Sequence, residues 1–455
     1  MRRPFLILLA VMLAFSAACA AVPAHAADLT PEDRARLQAQ YDELQQEIVQ
    51  WQQILDDTQA KKNSLQGDVT ALNALIKKAT AEIKQRNITI TTLANEINQK
   101  NQTIGVLEAK LADGKLSLAH MLRIQHSVDT MSLAEIILSN QDFSTLFGDV
   151  DSLVTLQGKL SGLFHEIQAT KTQTETEKQA LADKQNQELD AKYEVETTKK
   201  QIAQSEAEKQ KLLSITKNAE AAYQNVLADR QRKAEQIRST LFDLRDAQGI
   251  PFGTALQYAT AASQSSGVRP AIILAILSQE SDLGKNVGQC YVTNLATGDG
   301  AGKNTGTAYQ KVMKAPRDTD PFQRITSAIG VSWAISPVSC PLGKTYTASR
   351  GYGGAMGPSQ FIPSTWELYE PRLSSALNIS QPNPWNPADA IMATAFYMQD
   401  RGASVGTYTA ERNAACKYYS GRACDTAKPT NYTYGDSVMK KAEQFQSDID
   451  FLKGV

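Results

Sequence analysis

Histidine is scarce in this chain of 455 residues: there are four, His25, His120, His126 and His165, and none follows them. That absence removes several hydrolytic chemistries from the C-terminal half. A zinc amidase needs imidazole ligands, and Cys-His or Ser-His-Asp catalysis needs an imidazole base. Carboxylates remain, and glycosidic bonds are a substrate class that carboxylates alone can break. Proline is missing between Pro31 and Pro251, which leaves that stretch free to run as continuous helix. Beyond Phe5–Ala18 no run is apolar enough to span a bilayer. Charges nearly balance, 47 basic against 48 acidic residues, so nothing argues for nucleic acid.

Arg2 and Arg3 precede the apolar run, and Ala24-His25-Ala26 offers a small-x-small cleavage site. The pattern predicts a secretory signal peptide over residues 1–26, too short for a comfortable membrane span. The paired arginines also hint at a twin-arginine signal, though their flanks favour general secretion. Ser16-Ala17-Ala18-Cys19 is a poor lipobox, because no aliphatic residue precedes the alanines. The expectation is an exported protein, secreted to the periplasm or cell wall. Cys19 would leave with the signal, and Cys290, Cys340, Cys416 and Cys424 remain. An even count in an oxidising compartment reads as two disulfides. Of three pairings, Cys416–Cys424, a short local loop, and Cys290–Cys340 are favoured. A zinc site competes poorly, since no pair has Cys-x-x-Cys spacing; no metal or other cofactor is expected.

More than one domain is expected at this length, and composition shifts sharply. Residues 30–245 are rich in Gln, Lys, Glu, Ala and Leu; beyond Ile250, glycine, proline, tyrosine and tryptophan become common. The linker falls at 246–252, with a second domain over 253–455. Thr30-Pro31-Glu32-Asp33 reads as a helix start, with a hydroxyl cap, proline at the first position and early carboxylates. From Leu37 to Leu111, alternate steps of four and three mark 22 seam positions. Only Thr58, Lys62, Arg86 and Lys100 among them are polar. This predicts a coiled-coil arm, roughly 120 Å long at the rise of a helix. A second stretch starts near Asp149 with Leu153, Leu156, Leu160, Phe164 and Ile167. It turns polar from Gln168 to Lys211, then recovers through Leu213, Tyr223, Val226, Ile237 and Leu241. Two long helices read as an antiparallel hairpin, with a single rod or a parallel dimer as alternatives.

The joining segment, about 115–148, holds Met131-Ser132-Leu133-Ala134-Glu135-Ile136-Ile137-Leu138-Ser139 and Phe143-Ser144-Thr145-Leu146-Phe147. It is too apolar for a solvated loop. It either caps the hairpin or docks a partner, as large exposed apolar patches do. In the order of these segments, followed by Asp151-Ser152-Leu153, the chain resembles the N-terminal coiled-coil domain of PcsB/CwlO-type cell-wall hydrolases. The resemblance implies a tip that connects the protein to a division-linked ABC transporter complex in the membrane.

In the second domain, Pro270–Gly284 reads as one helix with proline at its start and glycine past its end. Apolar residues run almost around it, so it should be central. Glu280 lies in its last turn and is the only glutamate between Glu235 and Glu367. A carboxyl held against an apolar core keeps its proton to higher pH and can donate it. On the helix alone, an ordinary surface glutamate remains the plainer alternative. A second segment, Gly351 to Trp366, combines a glycine-rich turn, Gln360 and aromatics before a helix. Glycines let backbone approach a ligand, and Gln360 offers both donor and acceptor.

Gln279-Glu280-Ser281, then Gly354-Ala355-Met356-Gly357-Pro358-Ser359-Gln360-Phe361-Ile362-Pro363-Ser364-Thr365-Trp366, then Trp385-Asn386-Pro387-Ala388-Asp389-Ala390-Ile391, appear in that order. Over about 253–425 this resembles lytic transglycosylases of the lysozyme superfamily, nearest the membrane-bound lytic transglycosylase B type. The resemblance implies a mainly α fold: a coiled-coil hairpin followed by an α-helical lysozyme-like domain. It makes Glu280 the acid/base, Ser281 a substrate-holding hydroxyl, and Met356 and Gln360 parts of a glycan-binding loop. Tyr418 matches the tyrosine of the family's Ala-Tyr-Asn-x-Gly motif, which hydrogen-bonds the catalytic glutamate. Tyr419 stands where the family has asparagine, and Lys417 where alanine is common. The implied substrate is peptidoglycan glycan, cut between N-acetylmuramic acid and N-acetylglucosamine with 1,6-anhydro ring closure. A hydrolytic muramidase would need a second carboxylate; Asp282 should point elsewhere, while Asp299 could serve. A non-catalytic glycan-binding scaffold is the remaining alternative.

Overall fold

The computed structural model describes residues 31–59, 65–129, 143–213, 249–345, 347, 351–425 and 430–453, with isolated positions at 225, 228 and 232. Within these residues the chain is mainly helical, and it divides into two compact units, 1–207 and 208–455. The expected signal peptide, the apolar segment 130–142 and the seam residues Tyr223, Val226, Ile237 and Leu241 lie outside the described residues.

Among the described residues, three long helices build the first unit: α1 (Pro31–Gln59), α2 (Leu65–Asp129) and most of α3 (Phe143–Leu213). The expected uninterrupted arm from Leu37 to Leu111 is not what forms. Instead α1 folds back along α2: Lys78 Nζ donates to Gln52 Oε1 at 2.7 Å, and Gln85 Nε2 to Gln45 Oε1 at 2.6 Å. Numbers rise along one helix as they fall along the other, so the two are antiparallel. The seam itself supplies the reason. Thr58 and Lys62 are its only consecutive polar positions, and Asn63 and Ser64 follow. An apolar seam is what holds a long helix to its partner, and here it lapses beside a residue type suited to cap a new helix.

α3 also runs antiparallel to α2. Arg86–Glu194, Lys100–Glu177, Lys110–Glu166, Lys178–Glu108 and Lys184–Glu96 pair across at 2.5 to 2.9 Å. Each exposed pair is worth less than about 1 kcal/mol. Repeated matching of opposite charge nevertheless selects one direction and register. The seam residues Leu72, Leu93, Ile104 and Leu107 are buried, as are Ala74 and Ala81 in the stretch that α1 covers.

The second unit contains α4 (Phe252–Ser266), α5 (Pro270–Ser281), β1 (Cys290–Asn294), β2 (Asp299–Gly302), β3 (Ala308–Tyr309), α6 (Thr319–Ala328), α7 (Pro363–Leu377), α8 (Pro387–Asp400), α9 (Tyr408–Ser420) and α10 (Tyr432–Lys453). The strands form a small antiparallel sheet in the order β1-β2-β3, with Cys290 opposite Gly302 and Ala301 opposite Ala308. Sequence pattern did not anticipate it, because β2 is half glycine and glycine disfavours strands.

α5 is the central helix that its all-round apolar pattern predicts. Every residue from Ala271 to Leu277 is fully buried, and α4, α8 and α10 pack around it. Both disulfides adopt the favoured pairing, Cys290–Cys340 and Cys416–Cys424, at sequence separations of 50 and 8. Loop-closure entropy assigns them roughly 4 and 2.5 kcal/mol.

An ion pair fastens the start of α5. Arg269 donates from Nε and Nη2 to the two oxygens of Glu411, at 2.7 and 2.5 Å, and from Nη1 to Gln446 at 3.0 Å. The Glu411 side chain is wholly buried, whereas 37% of the Arg269 side chain is exposed. Losing one partner is therefore not symmetric. Arg269→Ala strands a buried carboxylate and should cost roughly 3–5 kcal/mol. Glu411→Gln leaves an arginine that can rehydrate and should cost less. Urea unfolding of the two variants side by side checks that order.

Candidate active site

The last turn of α5 presents Glu280. Asp282 and Leu283 follow in the left-handed region, φ 50° and 53°. Their amides close on the Ser278 and Leu277 carbonyls at 3.2 and 3.3 Å, which satisfies orphan carbonyls and stops the helix. Glu280 itself is half-buried. Apolar surroundings strip water from its charged form and raise its pKa from 4.5 to about 7. Two groups oppose that shift: the Tyr434 hydroxyl donates to Oε1, and Lys441 attracts the carboxylate. Next to it, Ser437 Oγ donates to Gln279 Oε1 at 2.9 Å. Tyr434, Ser437 and Lys441 are spaced three and four apart, on one face of α10. Near neutral pH this carboxyl is divided between acid and base, the condition for a group that both gives and takes a proton.

A glycine-rich turn lies against the same helix end. Gly357 has φ 62°, and a Cβ there would collide with the Pro384 carbonyl oxygen. Only glycine therefore lets the turn rest on the loop before α8. That loop is propped from inside α8: Asp389 Oδ2 accepts the Asn383 amide at 2.8 Å, and Asn386 caps the helix through the Ala388 and Asp389 amides.

The residues expected at the site take different places. Ser281 is buried, and its hydroxyl donates to the Pro358 carbonyl at 2.6 Å. It ties the turn to α5 and offers no open hydroxyl to a substrate. Met356 is fully buried, its backbone bridged to Val338 and Phe361; this corrects the expectation that it lines a binding surface. Gln360 is half-buried at φ 52°, with Nε2 donating to the Gly357 carbonyl at 2.7 Å.

Tyr418 does not make the hydrogen bond to Glu280 that the resemblance implied. Its hydroxyl proton goes to the Ser359 carbonyl at 2.5 Å, and its ring packs on Phe361 and Tyr397. Burial first, then the charge of Glu280, raise its phenol well above the ordinary tyrosine range. Tyr434 makes the expected bond instead. Tyr419 is exposed and stacks on Tyr434, ring centroids 4.9 Å apart and 15° from parallel. Asp299 sits at the start of β2, where Lys311 N and Thr297 Oγ1 donate to its two oxygens at 2.8 and 2.7 Å. Those bonds hold its pKa below the usual value. Asp282 pairs with Lys285 at 3.0 Å in the open. Among the described residues no cluster of three His, Cys, Asp or Glu side chains could hold a metal ion.

Tyr434, Ser437 and Lys441 went unnoticed in the sequence, although their three-four spacing on a helix was a readable signal. They lie beyond residue 425, where the family resemblance ends. No protein-family model, no curated protein and no solved structure matches this chain.

The raised pKa of Glu280 carries a stability cost of definite sign. In the unfolded chain the group titrates near 4.5, and in the folded one near 7. The folded state therefore binds more protons between those values, and stability falls as pH rises through them. The ceiling is about 3 kcal/mol, reduced because Glu280 is only half-buried. Glu280→Gln does not titrate. It should unfold at a higher temperature than the native chain at pH 8, and by a much smaller margin at pH 4; thermal melts at both pH values check this.

Proposed function

We propose that residues 253–455 form a lysozyme-like domain that acts as a lytic murein transglycosylase on peptidoglycan. The observation that carries this reading is Glu280: one carboxyl with a pKa near 7, hydrogen-bonded by Tyr434 at the end of a buried helix. Protonated Glu280 gives its proton to the oxygen linking N-acetylmuramic acid to N-acetylglucosamine. The carboxylate left behind is steadied by the Tyr434 hydroxyl and Lys441. It then takes the proton of the muramoyl 6-hydroxyl, whose oxygen closes on C1 to form the 1,6-anhydro ring. No water is consumed, and one carboxyl serves twice. The exposed face of Tyr419, backed by Tyr434, is suited to stack on a sugar ring.

A hydrolytic muramidase is the second reading, and it needs another carboxylate as nucleophile or water activator. Asp299 is a poor candidate, since both its oxygens already accept hydrogen bonds from Thr297 and Lys311. The third reading, a glycan-binding scaffold, leaves the raised pKa of Glu280 without a use.

In the same reading α2 and α3 are the arms of a coiled-coil hairpin whose tip docks on a membrane partner, a division-linked ABC transporter complex, with the chain exported by its signal peptide. Exposed Leu116, Leu122 and Phe164 on the helices leading to that segment support a docking role. No helix among the described residues is long and apolar enough to cross a membrane.

Digestion of purified peptidoglycan by the mature chain should release muropeptides ending in 1,6-anhydro-N-acetylmuramic acid, read by mass. Glu280→Gln should release on the order of 100-fold less or lower. Hydrated reducing ends in their place transfer the activity to the muramidase reading; undiminished release by the variant removes Glu280 from the chemistry.

A further inference from the structure

We propose that the Cys416–Cys424 disulfide and Asn431 are positioning groups for Glu280, acting through Tyr434, so that the hydrogen bond between Tyr434 and Glu280 depends on that disulfide being closed. The inference builds on the role proposed for Glu280.

Asn431 is fully buried directly before α10, and its carbonyl accepts the amides of Tyr434 and Gly435 at 3.1 and 3.4 Å. Its side chain reaches the other way. Nδ2 donates to Ser420 Oγ, Ala423 O and Arg422 O at 2.7, 2.9 and 3.1 Å, while Oδ1 accepts the Asp425 amide at 2.8 Å. One residue thus binds the first turn of α10 to the loop that the disulfide closes. The sulfurs touch the same turn. Cys416 Sγ lies 3.3 Å from the Asn431 carbonyl oxygen. A Cβ on Gly435 would stand 2.5 Å from Cys416 Sγ and 2.9 Å from Cys424 Sγ, so the disulfide rests directly on the α10 backbone. Arg412 and Asp436 add an ion pair at 2.6 Å between α9 and that turn.

Tyr434 is bracketed by these contacts, one residue before Gly435 and three after Asn431. Its ring is backed by Tyr419, three residues beyond Cys416. Opening the disulfide removes the covalent closure beside both the end of α9 and the start of α10, and a displacement of about 1 Å ends a hydrogen bond. The groups around Glu280 make the outcome specific. α10 offers Tyr434 and Lys441, and α9 offers Tyr418, whose proton is committed to Ser359. α4 carries no charged residue. On α8, Asp389 is engaged by Asn383, and Asp400 by Tyr369 and Arg372. Beside α5, Asp282 is paired with Lys285.

The test is a 13C-carboxyl NMR titration of Glu280 in the mature chain, its signal assigned by disappearance in Glu280→Gln. Tyr434→Phe sets the reference: loss of a donor to the carboxylate moves the titration to higher pH. Cys416→Ser/Cys424→Ser should move it the same way by a similar amount, and adding Tyr434→Phe should move it no further. Gly435→Ala, which displaces the sulfurs with every cysteine in place, should do the same and covers the case of a cysteine variant that does not fold. No shift, a shift toward 4.5 from water entering, or shifts that add to that of Tyr434→Phe each overturn the proposal. The titration needs no substrate. A mature chain that releases no anhydro-muropeptides defeats the transglycosylase reading and leaves this result standing.

Discussion

Removing water from a single carboxyl group is the constraint around which the second unit is arranged. Glu280 can be desolvated only if the helix that carries it is enclosed, and α5 is enclosed on every side from Ala271 to Leu277. That requirement recruits the neighbours: α4, α8 and α10 supply the walls. Arg269 with Glu411 fastens the start of the helix, and Ser281 with Pro358 fastens its end to the glycine-rich turn. The serine that follows Glu280 is itself part of this enclosure, and Met356 is buried between Val338 and Phe361.

Desolvation alone would carry the group past the useful range, since a fully buried acid without partners loses its capacity to ionise. The face of α10 that bears Tyr434, Ser437 and Lys441 provides the counterweight. A donated hydrogen bond and a nearby ammonium return stability to the carboxylate, and the balance falls near neutrality. The C-terminal helix is therefore part of the candidate site, although it lies outside the family-like segment.

Some of this was legible in the chain by itself, for local reasons. The all-round apolar helix, the lone glutamate at its end and the shortage of histidine are properties of short windows or of composition. Cys416 and Cys424 are close enough in sequence for their loop to be the simplest pairing. The tyrosine on Glu280 was legible only as a type of residue: Tyr418 falls at the motif's tyrosine position in sequence, yet Tyr434 has the right position in space. The break between α1 and α2 was visible as Thr58 and Lys62 but was absorbed into an otherwise good seam. The three-stranded sheet left almost no trace, because its glycine-rich strand is held by pairing and packing rather than by propensity.

Periodicity, composition and the order of short motifs determined that this chain is mainly helical, divided in character near residue 250, and equipped with a single carboxyl at the end of a buried helix. Tertiary structure alone decided what that carboxyl meets. Its hydrogen-bond donor is 154 positions away in the chain, brought there by the packing of α10 on α5. No local pattern reports a contact of that range, since side-chain periodicity records which face of a helix is buried and not which partner buries it.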